Sequence, residues 1–197
     1  MSLRYAVLAL LVDAEASGYE LAKRFDMSVA NFWYALPQQV YAELHRLERE
    51  GLVTATTVIQ ERRPNKRIFS LNDAGRDALS RWIAEPSRQT SVKDELLIRL
   101  YAAELVPPET LLAGLEERLR QQEAKLQGYE ATRSQILNGR SEEEYLKGAG
   151  SIGRYLSLSS GIAHERAAVA WCCWAIEALR RATDAGVLAA TPTRDGR

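Results

Sequence analysis

Apolar positions recur along most of this chain with the period of a helix and, in one short stretch, with the alternation of a strand. Residues 2–13 predict a first helix. Ser17-Gly18-Tyr19-Glu20 fits a capping box, in which the Ser17 hydroxyl and the Glu20 carboxylate satisfy free amides at the start of a second, short helix ending near Phe25. A third helix over 36–50 carries Leu36, Val40, Leu44 and Leu47 on one side. Pro37 falls in its first turn, where a missing amide hydrogen costs little, and Gly51 falls where a left-handed C-terminal cap sits. The Val-, Thr- and Ile-rich segment 52–60, the turn-like Arg62-Arg63-Pro64-Asn65-Lys66 and the segment Ile68-Phe69-Ser70-Leu71 together read as a β-hairpin. Asn72 or Asp73 caps a fourth helix that stops at Pro86.

The second half differs in character. Residues 93–105 are helical by pattern, Pro107-Pro108 breaks them, and a long helix over 109–137 ends at Asn138-Gly139. Within it Leu112, Leu115, Leu119, Gln122, Leu126, Tyr129, Arg133 and Ile136 alternate spacings of three and four, a heptad seam whose defects are Gln122 and Arg133. A last helix over 151–183 places Leu156, Ile162, Val169, Cys173, Ile176 and Leu179 on or near one side, with Trp171 and Trp174 on another. That is too much apolar surface for one solvated helix, so both long helices ask for a partner from this chain or from a second copy. The expected organisation is one domain over 1–86, a helical domain over 87–184 and a flexible tail over 185–197.

Totals change this picture little. Lys plus Arg and Asp plus Glu balance at 26 each, so net charge names no partner and any basic surface is local. The two cysteines, Cys172 and Cys173, are neighbours, which suits neither an ordinary structural disulfide nor a zinc site, and a reducing cytoplasm fits best. Arg4, the apolar run 5–12 and the small Ala14 and Ala16 imitate a weak secretory signal; a short buried helix is preferred, because the helices that follow need it as a packing partner. No apolar stretch approaches the roughly 20 residues that span a bilayer, so no membrane partner is expected.

The polar side of the third helix carries Gln38, Tyr41, Ala42, His45, Arg46 and Arg49, opposite the apolar stripe. Such a face fits the DNA major groove, where glutamine reads adenine, arginine reads guanine, and alanine or an aromatic edge touches the thymine methyl. Arg62, Arg63, Lys66 and Arg67 at the hairpin would then lie along phosphates or enter the adjoining minor groove. Each piece alone is ordinary, since polar helix faces and basic hairpin tips are usually only solvated. Their order along the chain is what raises the reading.

The residues carrying that order are Gly18-Tyr19-Glu20-Leu21, the run from Tyr41 to Leu52, Arg63-Pro64-Asn65-Lys66-Arg67, and Leu71-Asn72-Asp73-Ala74-Gly75. They resemble the PadR family of transcriptional regulators over roughly residues 3–84. The resemblance implies a mainly α fold: an N-terminal winged helix-turn-helix with a β-hairpin wing, joined to an all-helical C-terminal dimerisation domain. It implies a DNA-binding regulator, a repressor in the founding members, that binds a pseudo-palindromic operator as a homodimer. It puts Tyr19, Gln38, Gln39, Tyr41 and the wing residues Arg63 to Arg67 at the DNA. One position departs from the family habit: Asn72 stands where a Thr is frequent, and Asn caps a helix equally well. The length beyond residue 86 resembles the longer-tailed branch, whose C-terminal helices embrace those of the partner. Leu112, Leu115, Leu119, Leu126, Tyr129, Trp171 and Trp174 are the expected dimerisation residues.

Phe32-Trp33-Tyr34 is an unusual aromatic cluster. In some relatives aromatic residues near the dimer interface receive planar ligands, which makes Phe32 and Trp33 candidates for a small aromatic effector; the alternative, core packing, is preferred. Gly148-Ala149-Gly150-Ser151-Ile152-Gly153 matches a dinucleotide fingerprint by letter, but an acidic helical stretch precedes it where a buried strand is required. His164-Glu165 begins like a zinc-protease motif, yet Ala168 occupies the place of the second histidine. No enzyme activity, cofactor or metal is therefore expected. Cys172 and Cys173 read as buried packing. The rival reading is a helical protein-interaction module in which the wing and third helix meet protein.

Overall fold

A computed structural model describes residues 2–28, 35–59, 65–87, 93–148 and 152–187. The chain divides into two compact units, Met1–Gln89 and Thr90–Arg197. The expected tail begins inside the second unit, and residues 188–197 lie outside the described residues.

The first unit runs α1 (Ser2–Leu10), β1 (Ala16–Ser17), α2 (Gly18–Ser28), α3 (Pro37–Arg49), β2 (Val53–Val58), β3 (Lys66–Leu71) and α4 (Asp73–Ile83). α1 stops short of the expected residue 13 because Leu11 N and Val12 N bond the carbonyls of Leu8 and Ala9, tightening the last turn. α2 passes Phe25 by three residues, since Asp26-Met27-Ser28 holds no helix breaker. The capping box forms: Glu20 N donates to Ser17 Oγ at 3.3 Å, and Ser17 N donates back to Glu20 Oε2 at 2.9 Å. At the end of α3, Gly51 takes φ 72°. Leu52 N then bonds Leu47 O while Gly51 N bonds Glu48 O, a Schellman closure that turns the chain into β2.

The sheet has three strands in the order β1-β3-β2, all antiparallel. β2 and β3 pair from Val53↔Leu71 to Val58↔Lys66, as the hairpin pattern requires. β1 adds Ala16↔Phe69 and Ser17↔Ile68, a two-residue strand too short to show alternation in a sequence. Asn72 closes the unit twice over, accepting from Gly75 N at 2.9 Å and donating to Gly51 O at 2.8 Å. Gly75 is required there: a Cβ would lie 2.1 Å from Leu52 O. Val7, Leu8, Leu21, Phe25, Val40, Leu44, Leu47, Val53 and Phe69 fill the core at 0–3% exposure. Leu36, expected on that apolar side, is the N-cap of α3 and half exposed.

The second unit holds α5 (Glu95–Tyr101), a 3-10 turn (Ala103–Leu105), α6 (Pro108–Leu137), α7 (Glu142–Gly148) and α8 (Ile152–Asp184). The single helix expected over 93–105 breaks at Ala102, whose φ −109° and ψ 35° are not helical. α6 ends where expected, with Asn138 and Gly139 at φ 47° and 80°. α6 packs along α8 of its own chain. Leu111, Leu115, Ala175, Ile176 and Leu179 meet there with Leu96, and Leu112 and Leu119 sit partly buried beside them. Arg133, a defect in the heptad seam, is accounted for: it donates to Tyr155 Oη at 3.0 Å and to Glu142 at 2.5 Å. The segment before the glycine run is helix α7, and Gly153 lies inside α8, so the fingerprint has no strand to serve. Two expectations on α8 fail. Cys172 is buried but Cys173 is exposed, and Leu156 is exposed while Tyr155 is buried. No helix among the described residues is long and apolar enough to cross a membrane.

Candidate nucleic-acid interface

α2 and α3 present adjoining polar faces. Tyr19, on the first turn of α2, is 72% exposed, and Gln38, Tyr41, Ala42 and His45 are exposed along α3. Tyr41 is seated rather than loose: its ring occupies the space above Gly18, where an added Cβ would come within 2.3 Å of Cε1. Gly18 is thus the floor on which an aromatic side chain is held between the two helices. Tyr19, Lys23, Pro37 and Tyr41 help to line a shallow cleft of roughly 330 Å³ at the same junction. Gln39 is turned to another use, its Oε1 accepting from Leu36 N at 2.9 Å and capping α3. Arg46 is engaged too, with Nε 2.9 Å from Glu50 Oε1. Glu50 also takes Arg4 of α1, and the Arg4 and Arg46 guanidiniums hold its carboxyl below the usual range.

The wing base departs from expectation. Lys66 Nζ donates to Glu20 Oε1 at 2.8 Å, and Arg67 Nη2 donates to Glu48 Oε1 at 2.5 Å. Arg67 also lies 3.4 Å from His45 Nδ1, with its guanidinium over the Phe69 ring. Each cation is thus paired with a carboxylate of the same unit while staying partly exposed. The Lys66 ammonium, reinforced by the Ser17 amide and hydroxyl, draws the Glu20 carboxyl down to about 2. Arg62 and Arg63, the other wing candidates, lie outside the described residues, as do Phe32 and Trp33. Sequence reasoning missed the two acids that share this face, Glu20 and Glu48. The signal for Glu20 lay in its capping box; the signal for Glu48 was its place one turn beyond His45.

In the second unit the expected dimerisation residues divide by exposure. Leu115 is fully buried against its own chain and offers a partner nothing. Leu112, Leu119, Leu126 and Tyr129 are half-buried, and the Tyr129 ring packs over Gly161 of α8. Trp171 and Trp174 face outward at 36% and 65% exposure, on the side of α8 that also carries Ile152 and Leu156. Two polar side chains are enclosed between the long helices, Gln122 and Glu165, and Gln122 Oε1 and Glu165 Oε2 have no hydrogen-bond partner among the described residues.

Comparison with known proteins agrees with this arrangement in both units. Residues 7–81 match the Transcriptional regulator PadR-like family, and residues 92–180 match Virulence activator alpha C-term. The Mycobacterium tuberculosis protein named "Probable transcriptional regulator Rv1176c" is 33% identical over 190 residues, 91% of this chain and 98% of that protein. The chain belongs to the PadR-like family of transcriptional regulators. Negative transcriptional regulator PadR of Bacillus subtilis is 30% identical over 171 residues, 86% of this chain and 92% of that regulator. Among solved structures, Bacillus subtilis PadR in complex with operator DNA matches with TM-score 0.75 and 27% identity, covering 91% of this chain and 99% of that one. The same protein in complex with p-coumaric acid matches with TM-score 0.71 and 25% identity, covering 91% and 99%. The fold is thus the PadR winged helix-turn-helix with a helical C-terminal region, and its work is transcription regulation rather than catalysis.

Proposed function

We propose that this chain is a repressor that binds a pseudo-palindromic operator as a homodimer and releases it in response to a small aromatic effector. The observation that carries the DNA reading is the exposed face of α3, where Gln38, Tyr41, Ala42 and His45 are all exposed on a winged helix-turn-helix. Glutamine and a braced tyrosine near the N-terminus of such a helix reach deepest into a major groove. Tyr19 and the wing arginines Arg62 and Arg63 supply phosphate contacts on either side, while Lys66 and Arg67 brace the wing. Likeness to the Bacillus subtilis regulator, named as negative and crystallised with operator DNA, supports repression.

The homodimer reading rests on the outer side of α8, where Trp171 and Trp174 remain exposed after α6 has covered the inner side. A twofold pair would place two recognition helices about one DNA turn apart. The effector reading is supported by the p-coumaric acid complex of the Bacillus subtilis protein, with Phe32 and Trp33 as candidate stacking residues here.

The test is titration of a labelled duplex carrying the region upstream of the chain's own gene, against a scrambled duplex, at two salt concentrations. Tight, salt-sensitive preference for the upstream region is expected, because phosphate contacts release counterions. Tyr41→Ala or Gln38→Ala should then lower specific affinity by about 1–3 kcal/mol. Binding to neither duplex at low salt would overturn the reading and favour a protein partner for the wing and α3.

A further inference from the structure

Lys66 and Arg67 are adjacent on β3, so their side chains leave opposite faces of the strand. Lys66 reaches Glu20 on the first turn of α2, and Arg67 reaches Glu48 on α3. Each helix of the helix-turn-helix is therefore pinned to the same wing strand by its own ion pair. Glu20 is itself fixed, its other oxygen taking Ser17 N and Ser17 Oγ at 2.9 Å each. Ser17 in turn sits in β1, which pairs with β3. Arg67 is fixed likewise by the flanking His45 and Phe69 rings.

We propose that Glu20 and Glu48 are positioning residues for DNA recognition, acting through Lys66 and Arg67 to hold the wing at a set distance from the reading face of α3. This rests on the DNA-binding reading above. Two facts make fold stability an insufficient reason for the pairs. Their side chains are 29–43% exposed, a setting in which ion pairs contribute little stability. An acid beside a phosphate-binding face also opposes binding to any duplex, so its presence there requires a compensating role. Preorganisation is that role: a wing already aligned with α3 loses less freedom when both meet one matched site. Non-specific binding needs no fixed distance between wing and helix and gains from every loose cation.

The clamp therefore raises the preference for the matched site over random DNA. The experiment uses the full chain, with the upstream-region duplex and its scramble titrated over a salt series. Glu48→Gln should bind the scramble more tightly, with a salt slope steeper by roughly one counterion as Arg67 is released to a phosphate. Its preference for the upstream region should fall about fivefold to tenfold, the size of a modest loss of fit at a DNA site. Arg67→Gln should lose preference to a similar degree without any gain on the scramble, because it removes the clamp and the cation together. The charge-reversed pair, Glu48→Arg with Arg67→Glu, should recover most of the preference. A preference within twofold of the parent in both single variants, folded by circular dichroism, would overturn the inference. If Glu48→Gln fails to fold, Arg67→Gln and the reversed pair decide the matter. A parent chain with no preference would take down the DNA-binding reading and this inference with it, whereas an intact parent preference with indifferent variants removes only the clamp.

Discussion

The two units close their cores to different degrees. In the first, side chains from every helix and strand meet in one cluster whose largest members, Phe25, Leu8, Leu21, Leu44 and Leu47, are shut off from water. In the second, two long helices cover one side of each other, leaving Trp174 65%, Leu105 80% and Tyr101 92% exposed and enclosing the polar Gln122 and Glu165. A helix that is apolar on two sides and covered on one has surface left for association. The first unit is finished by its own sequence, while the second is shaped for company. The sharpest test of that contrast is the dependence of melting on protein concentration.

Leu44→Ala and Leu115→Ala both empty sites of 0% exposure, and each should cost about 2–5 kcal/mol. The transition weakened by Leu44→Ala should keep its midpoint when protein concentration is varied. The transition weakened by Leu115→Ala should move upward with concentration, because a second copy that binds only the folded form stabilises it by mass action. Denaturant melts at widely spaced concentrations distinguish the two, and two concentration-independent transitions would erase the contrast. Trp174→Glu is the next largest effect expected. On a solitary helix a substitution at so exposed a site should change stability by no more than about 0.5 kcal/mol. If α8 is the dimer surface, sedimentation should instead return monomers, with the first unit's melt unchanged.

The same contrast explains what could be read from the letters. The ends of α3 were legible because Pro37 and Gly51 obey local backbone rules, and so were the caps at Ser17 and Asn72. The exposed face of α3 followed from its period. Hidden from such rules were the pairs Lys66–Glu20 and Arg67–Glu48, whose members lie 46 and 19 residues apart and meet only once the sheet has formed. Equally hidden was the seat of Tyr41 on Gly18, a contact between two helices. In α8 the error at Cys172 and Cys173 has another cause. The buried positions Tyr155, Ile162, Glu165, Cys172, Ile176 and Leu179 keep one heptad register along the helix, and Leu156 and Cys173 each fall one residue outside it, beside the neighbour that takes the inward position.

Glu165 offers a smaller test of the second unit. A carboxylate at 5% exposure whose Oε2 accepts no hydrogen bond among the described residues opposes folding, and well-packed apolar replacements of buried ionic groups are often neutral or stabilising. Glu165→Leu should therefore raise the second unit's stability by about 1 kcal/mol, in the lower part of the range for such replacements. A loss instead would reveal that the carboxylate finds a donor in the assembled protein.

The smallest effect belongs to the first unit and concerns pH. Glu20 titrates near 2 in the folded chain rather than at its ordinary 4.5, because Lys66 and Ser17 stabilise its charged form. A depressed folded value means the unfolded chain binds this proton first as pH falls, so stability declines from about 4.5 downward and the contribution is gone by about 2. Above that window the contribution is fully present and does not vary. Glu20→Gln should consequently be a little less stable than the parent at pH 7 and should converge with it near pH 2, flattening the acid limb of the first unit's melting curve. Parallel acid limbs in parent and variant would mean that the Lys66 pair does not persist in solution, and the clamp between wing and α2 would lose its footing.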